Sequence, residues 1–239
     1  MFARICIALC MFFASTLALA ANTEAHIKQS IEAWLGGHMK VTSVHKTHFL
    51  GLYEVVVGGE VLYTNDKATY AILGNVIDIK AGRNLTQERV AKLAQIKFSD
   101  LPLKLAIKQV RGNGKRVLAT FEDPNCTYCR RLAHELQGVT DITVYTFLFP
   151  ILSPDSVDKA KAIWCSADRA KAWNEYMLNG TAPTAAQCDT SALDKIAALA
   201  RRLNIHGTPA LFLADGTRLP GLVPAPKLEQ AMNHAGGIR

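Results

Sequence analysis

Two thiols three residues apart, in Asp123-Pro124-Asn125-Cys126-Thr127-Tyr128-Cys129-Arg130-Arg131, are the residues of this chain best placed to do chemistry. Covalent haem attachment requires a histidine directly after the second cysteine, and Arg130 stands there. A structural zinc site takes four ligands, usually a second pair at short spacing. The other candidates, Cys165 and Cys188, are far apart, and no closely spaced histidine pair follows the motif. An iron–sulfur cluster meets the same shortage of ligands. The ligand count therefore disfavours a metal, and no cofactor is expected. Thiol–disulfide exchange remains as the chemistry with positive support.

That support comes from the helix the motif opens. Asn125 is a good N-cap, and Cys129, Leu132, Ala133 and Leu136 fall on one helical face, so Cys129 is expected to point inward. Cys126 falls in the first turn, where unpaired N–H groups and the positive end of the helix dipole favour an anion. It is expected to be exposed, to ionise readily and to act as the nucleophile. Cys129, one turn behind, can attack a mixed disulfide on Cys126 and release the bound molecule. Thr127 and Tyr128 lie between the sulfurs and are expected to tune their poise. Glu122 and Asp123 read as solvated charges at a strand end, and His134, two turns from Cys126, as a surface histidine.

A redox pair needs a suitable compartment. Residues 1–20 carry one positive charge at Arg4, an apolar run from Ile5 to Phe13 and an Ala18-Leu19-Ala20 ending, the pattern of a cleaved signal peptide. Cleavage removes Cys6 and Cys10 and leaves four cysteines in an exported protein, where disulfides persist. Four are too few to scaffold so long a chain, and the 49% apolar content is sufficient for a true core. The formal charge of +7 is scattered rather than gathered in basic runs, so no nucleic-acid partner is expected.

The rest of the chain divides into an N-terminal domain over 21–82, a linker helix over 83–98 and a catalytic domain over 99–239. In the first, Ile27, Ile31, Trp34 and Leu35 form one helical stripe. Short β-rich runs follow at 41–45, 51–57, 60–63, 69–73 and 76–79, with a hairpin turn at Gly74-Asn75 as one reading of the last pair. So small a domain is marginal alone, and the edge strand near Gly74 could pair with a second copy. Asn84 or Thr86 caps the linker helix, whose thin stripe is Val90, Leu93 and Ala94. Strands over 103–110 and 116–121 flank the turn Arg111-Gly112-Asn113-Gly114-Lys115, and a further strand spans 141–150.

A strand, a CxxC at a helix start, another strand, a helical insertion and then Gly207-Thr208-Pro209-Ala210-Leu211-Phe212-Leu213 before Asp215-Gly216 resembles the thioredoxin fold. With the signal sequence, the small N-terminal sheet domain, the connector and Phe121-Glu122-Asp123-Pro124-Asn125-Cys126-Thr127-Tyr128-Cys129, the chain resembles the DsbC/DsbG family of periplasmic thiol:disulfide isomerases over essentially its whole mature length, closer to DsbC. Thr127-Tyr128 departs from the Gly-Tyr typical of DsbC and the Pro-Tyr typical of DsbG.

The resemblance implies an α+β protein: a thioredoxin-like domain with a helical insertion, joined by the linker helix to a cystatin-like dimerisation domain. It implies that Pro209 is cis and that Thr208 and Pro209 receive the substrate chain. It implies that Gly74 lies at a homodimer interface and that Cys165 and Cys188 form a structural disulfide, buried beside Trp164. Such a bridge would close a loop of about 24 residues and contribute roughly 3 kcal/mol. The implied partners are misfolded disulfide-containing exported proteins and a membrane reductase of the DsbD type. The implied activity is disulfide isomerisation, with a DsbG-like holdase or sulfenic-acid reductase as the alternative.

Overall fold

The computed structural model describes residues 22–184 and 187–236. The signal sequence expected over 1–20 lies outside them. The chain forms two compact units, one ending at Leu93 and one beginning at Ala94.

In the first unit, helix α1 (residues 22–34) covers an antiparallel sheet of β1 (Val41–Lys46), β2 (Tyr53–Val57), β3 (Glu60–Thr64) and β4 (Ala71–Ile72), paired in that order. Ile27 and Ile31 of α1 are buried with Val41, Val44, Tyr53, Val55, Val57 and Leu62. Trp34, on the same stripe but in the last turn, stays 58% exposed, because the stripe is longer than the apolar face it covers. Val56, Val61 and Tyr63 point to the opposite face, where Val90 and Leu93 of α2 (Leu85–Leu93) pack on them. Covering both faces is what makes the unbroken run Val55-Val56-Val57 a strand rather than an alternating one. The Tyr63 hydroxyl bonds Thr86 Oγ1 at 2.7 Å, fixing α2 to this unit, and Asn84 caps the helix by accepting from Gln87 N–H at 2.9 Å.

No hairpin forms at Gly74-Asn75. The strand before it, β4, pairs back onto β3, while β5 (Ile77–Asp78) pairs forward with β6 (Arg83–Asn84). This leaves β4 as an edge and Tyr70, Ile72, Leu73, Ile77 and Ile79 exposed.

The second unit holds a five-stranded sheet in the order β11-β10-β8-β9-β7. Its strands are β7 (Ile107–Arg111), β8 (Arg116–Glu122), β9 (Ile142–Leu148), β10 (Ala210–Leu213) and β11 (Arg218–Leu219). The turn at 111–115 does not make a hairpin. Helix α3 (Thr127–Glu135) carries the chain from β8 to a parallel β9, and β9 separates β8 from an antiparallel β7. The central β8 is buried on both faces. Leu118 meets Leu132, Leu136, Leu228 and Met232, contributed by α3, the turn after it and α7 (Ala225–Ala235). Phe121 stacks on Phe147 with centroids 4.7 Å apart and sets its edge to Phe212, on the side covered by α4 (Pro154–Trp164), α5 (Arg169–Asn179) and α6 (Ser191–Arg202). Gly216, at φ +85°, turns β10 into β11, and its carbonyl accepts from Ile96 N–H at 3.0 Å; a Cβ there would lie 1.7 Å from the Ile96 oxygen. Only glycine fits that approach.

Candidate active site

The end of β8 delivers the chain into α3. Here Cys126, not Asn125, is the N-cap: its sulfur accepts from Cys129 N–H at 3.3 Å, and its extended backbone starts the helix. Asn125 is freed for another task. Its Nδ2 donates to Asp155 Oδ2 at 2.7 Å and reaches Ser153 and Ser156, while its Oδ1 accepts from Lys159 Nζ and the Tyr176 hydroxyl. Helices α4 and α5 therefore grip the residue directly before the first sulfur.

Glu122 and Asp123 are not solvated. Asp123 is fully buried, and its carboxylate accepts from the N–H groups of Asn125, Ile151 and Leu152 at 2.7–2.9 Å, tying the loop after β9 against the motif. Glu122 is 1% exposed; its Oε1 accepts from Thr120 at 2.7 Å and its Oε2 has no partner. A strand end is solvated only if nothing covers it, and the loop at 149–153 and helix α4 cover this one.

Both thiols are free. Cys129 is fully buried on the face with Leu132 and Ala133, as its spacing predicts. Cys126 is only 5% exposed rather than open to solvent, because the loop at Thr208 lies against it: as a thiol it donates to the Thr208 carbonyl at 3.3 Å. The Thr208–Pro209 bond is cis.

The two sulfurs differ sharply in acidity. The Cys126 thiol is lowered from its usual 9.0 to about 6, chiefly by a hydrogen bond from the Cys129 thiol, then by Thr208 and by the backbone N–H groups of Cys129 and Tyr128, against burial. The Thr208 hydroxyl, which makes no well-formed hydrogen bond of its own, adds to this effect. Burial pushes Cys129 far upward, and the charge of Glu122 adds to it. One sulfur is thus held ready to ionise and its neighbour is held protonated.

Because ionisation creates the nucleophile, alkylation of Cys126 by iodoacetamide should rise with pH, with its midpoint near 6, and level off above it. A midpoint near 9 would remove the electrostatic argument.

Thr127 is exposed in the first turn, and Tyr128 is 57% exposed with Arg131 over its ring. His134 is exposed. Cys165 and Cys188 form a disulfide from the end of α4 to the segment before α6. The bridge is not buried: Cys188 is exposed and Cys165 half-buried, while Trp164 turns into the core and donates to the Asp189 carbonyl at 3.2 Å. Replacing both cysteines by serine should lower unfolding stability in urea by roughly 3 kcal/mol and leave Cys126 alkylation unchanged. Gly74 belongs to the first unit, where it follows β4 with open space around its Cα. Among the described residues no cluster of three or more His, Cys, Asp or Glu could hold a metal, and no helix is long and apolar enough to cross a membrane.

Residues 103–236 match the Thioredoxin-like domain family, and residues 18–87 match the Disulfide bond isomerase protein N-terminal domain. The probable thiol:disulfide interchange protein DsbC of Bordetella pertussis is 48% identical over 189 residues, covering 79% of this chain and 67% of the relative. This chain belongs to the DsbC family. DsbC of Escherichia coli is 29% identical over 220 residues, covering 90% of this chain and 89% of the relative. Among solved structures, a disulfide interchange protein from Neisseria gonorrhoeae superimposes with a TM-score of 0.55 at 41% identity, covering 57% of this chain and 99% of that one. The α+β class and the thioredoxin-like second domain implied by the motifs hold.

The signal for what the sequence reading missed was present but ambiguous. Glu122 and Asp123 follow Val117-Leu118-Ala119-Thr120-Phe121, an apolar run that signals a strand covered on both faces. A charge at the end of such a run is either at the rim or inside it, and only the packing decides.

Proposed function

We propose that this protein isomerises wrong disulfides in exported proteins, working in the periplasm from the reduced Cys126–Cys129 pair after removal of residues 1–20. The observation that carries the reading is the Cys126 sulfur itself: capping α3, ready to ionise near neutral pH and lying against the Thr208–Pro209 loop. Its thiolate attacks a client disulfide and holds one client sulfur covalently. The freed client thiol then finds another partner, and its attack returns Cys126 unchanged. Thr208 and Pro209 receive the client chain beside the sulfur, Thr127 and Tyr128 tune the pair, and Cys129 provides release when rearrangement stalls.

The exposed apolar residues around β4 and Gly74 support a homodimer formed through the first unit, which a small domain with an open edge favours. A membrane reductase of the DsbD type keeps the pair reduced. The deciding experiment is refolding of a scrambled multi-disulfide protein by the reduced enzyme. Native pairing should return with catalytic amounts, whereas a DsbG-like protein would recover little.

A further inference from the structure

The second unit contains a groove that the reaction just described does not use. It encloses about 720 Å³ and lies between α4, α6 and the two segments that flank the reactive sulfur. One of these is the loop after β9. Ile151 lines the groove, and its N–H donates at 2.7 Å to the Asp123 carboxylate, which also accepts from the N–H of Asn125 beside Cys126. The other is the run into the cis proline. Ile205 and His206 line the groove, and two residues further on the Thr208 carbonyl lies 3.3 Å from the Cys126 sulfur. A client chain received at Thr208 therefore has the groove beside it.

Helical spacing decides what the groove presents. Val157 and Lys161 lie one turn apart on α4, and Asp194 and Arg201 lie two turns apart on α6, so each pair shares a face. Phe149, Leu193 and Ile205 are buried and give an apolar floor. Lys161, Arg201 and His206 are exposed at the rim. Among the described residues neither the Lys161 nor the Arg201 side chain has an ion-pair or hydrogen-bond partner. The acid lining the groove, Asp194, stands in the first turn of α6, where the positive end of the helix dipole faces it. The two cations are left unopposed.

We propose that this groove takes an acidic, apolar-flanked stretch of the client chain next to the cysteine joined to Cys126. The proposal rests on the exchange chemistry above and adds a substrate preference to it. Client carboxylates meet Lys161 and Arg201, and neighbouring apolar side chains enter the floor. The volume falls in the range of small-ligand pockets, roughly 300–1,000 Å³, which suits a few side chains of an unfolded segment and excludes a folded domain. An extended chain advances about 3.3 Å per residue, so acids about two to five residues from the client cysteine are in reach of a groove that begins at His206.

The test uses short peptides whose single cysteine is joined to a coloured aromatic thiol, with either glutamates or lysines at those distances on either side. Reduced protein attacks the peptide sulfur and releases the coloured thiolate. At low salt the acidic peptides should react about fivefold faster than the basic ones, the range open to two exposed ion pairs, and rising salt should shrink the difference. K161Q/R201Q should abolish the preference and K161E/R201E should reverse it. K115Q/K227Q, which removes as much charge from exposed positions outside the groove, should leave it in place. Attack on the aromatic disulfide without a peptide should be unchanged in every variant. The proposal is overturned if no preference appears, if it survives K161Q/R201Q, or if K115Q/K227Q removes it equally. It is also overturned if a glutathione mixed disulfide depends on Lys161 and Arg201 as strongly as the peptides do, since the occupant is then a small thiol. A change of oligomeric state in K161E/R201E would overturn it in favour of a second copy of the chain. A serine copy of the acidic peptide tests the groove apart from the exchange chemistry: it should shift the amide resonances of Ile151, Leu193 and Ile205, and their failure to move would sink the proposal even with Cys126 fully active. Shifts without any release of thiolate would instead count against Cys126 as the nucleophile and uphold the groove.

Discussion

Cys126→Ala should abolish turnover of scrambled clients while leaving the fold and its melting transition essentially intact. The side chain removed is small, and what disappears is the atom on which every covalent step is built. The size of the effect does not come mainly from faster attack. At neutral pH a thiol with a pKa near 9 is about 1% ionised and one near 6 about 90%, a gain of roughly 100-fold in thiolate. Nucleophilicity falls with pKa at a slope of about 0.4–0.5, which over three units takes back roughly 20- to 30-fold. The net gain in attack is only several-fold. The larger consequence lies in departure: a stabilised Cys126 thiolate is a good leaving group, so client thiols displace it readily and the reaction stays reversible. Reversibility is what rearrangement requires and what a committed oxidant lacks. The measurement is recovery of native disulfides in a scrambled client; residual turnover above the background of free thiol would show that another group is the nucleophile.

Cys129→Ala should produce the opposite phenotype, accumulation rather than loss. Cys126 can still attack, since its ionisation retains Thr208 and the N–H groups of Cys129 and Tyr128, but the hydrogen bond from the Cys129 thiol, its largest single support, is gone. The alkylation midpoint should therefore move upward from about 6 while remaining below the ordinary thiol value. Without the second sulfur a stalled mixed disulfide has no internal exit, and covalent enzyme–client species should appear on non-reducing gels and vanish with added dithiol. If no such species build up, Cys129 is not the route of release. The pair of variants divides the reaction: one alanine blocks entry into the covalent intermediate and the other blocks the enzyme's own exit from it.

The placement of Cys165 and Cys188 separates structural from reactive sulfur. Their bridge joins the end of α4 to the segment before α6 at the surface, and neither sulfur sits at a helix N-terminus aimed at a client. Such a link adds to stability because the insertion is helical, and its helices otherwise hold to the sheet through side-chain packing and isolated hydrogen bonds such as that from Gln109 Nε2 to the Ala170 carbonyl.

Short-range information in the chain was enough for much of this protein. The spacing of Cys126 and Cys129, the inward face of Cys129, Leu132 and Ala133, the elimination of haem and the runs that become β1 to β3 and β8 all depend on residues within a turn or a strand of one another, where periodicity and capping act. What required the tertiary structure depends on contacts between distant parts of the chain. Cys126 is shielded by a carbonyl 82 residues away, Asn125 is held by side chains 28 to 51 residues away, and Asp123 is buried by a loop that begins beyond β9. Whether Glu122 meets water or a core is likewise decided by which helices close over the end of β8, and no local pattern encodes that choice. The same reason governs the strands: β7 and β8 are joined by a turn suited to a hairpin, but the burial of β9 between them outweighs it.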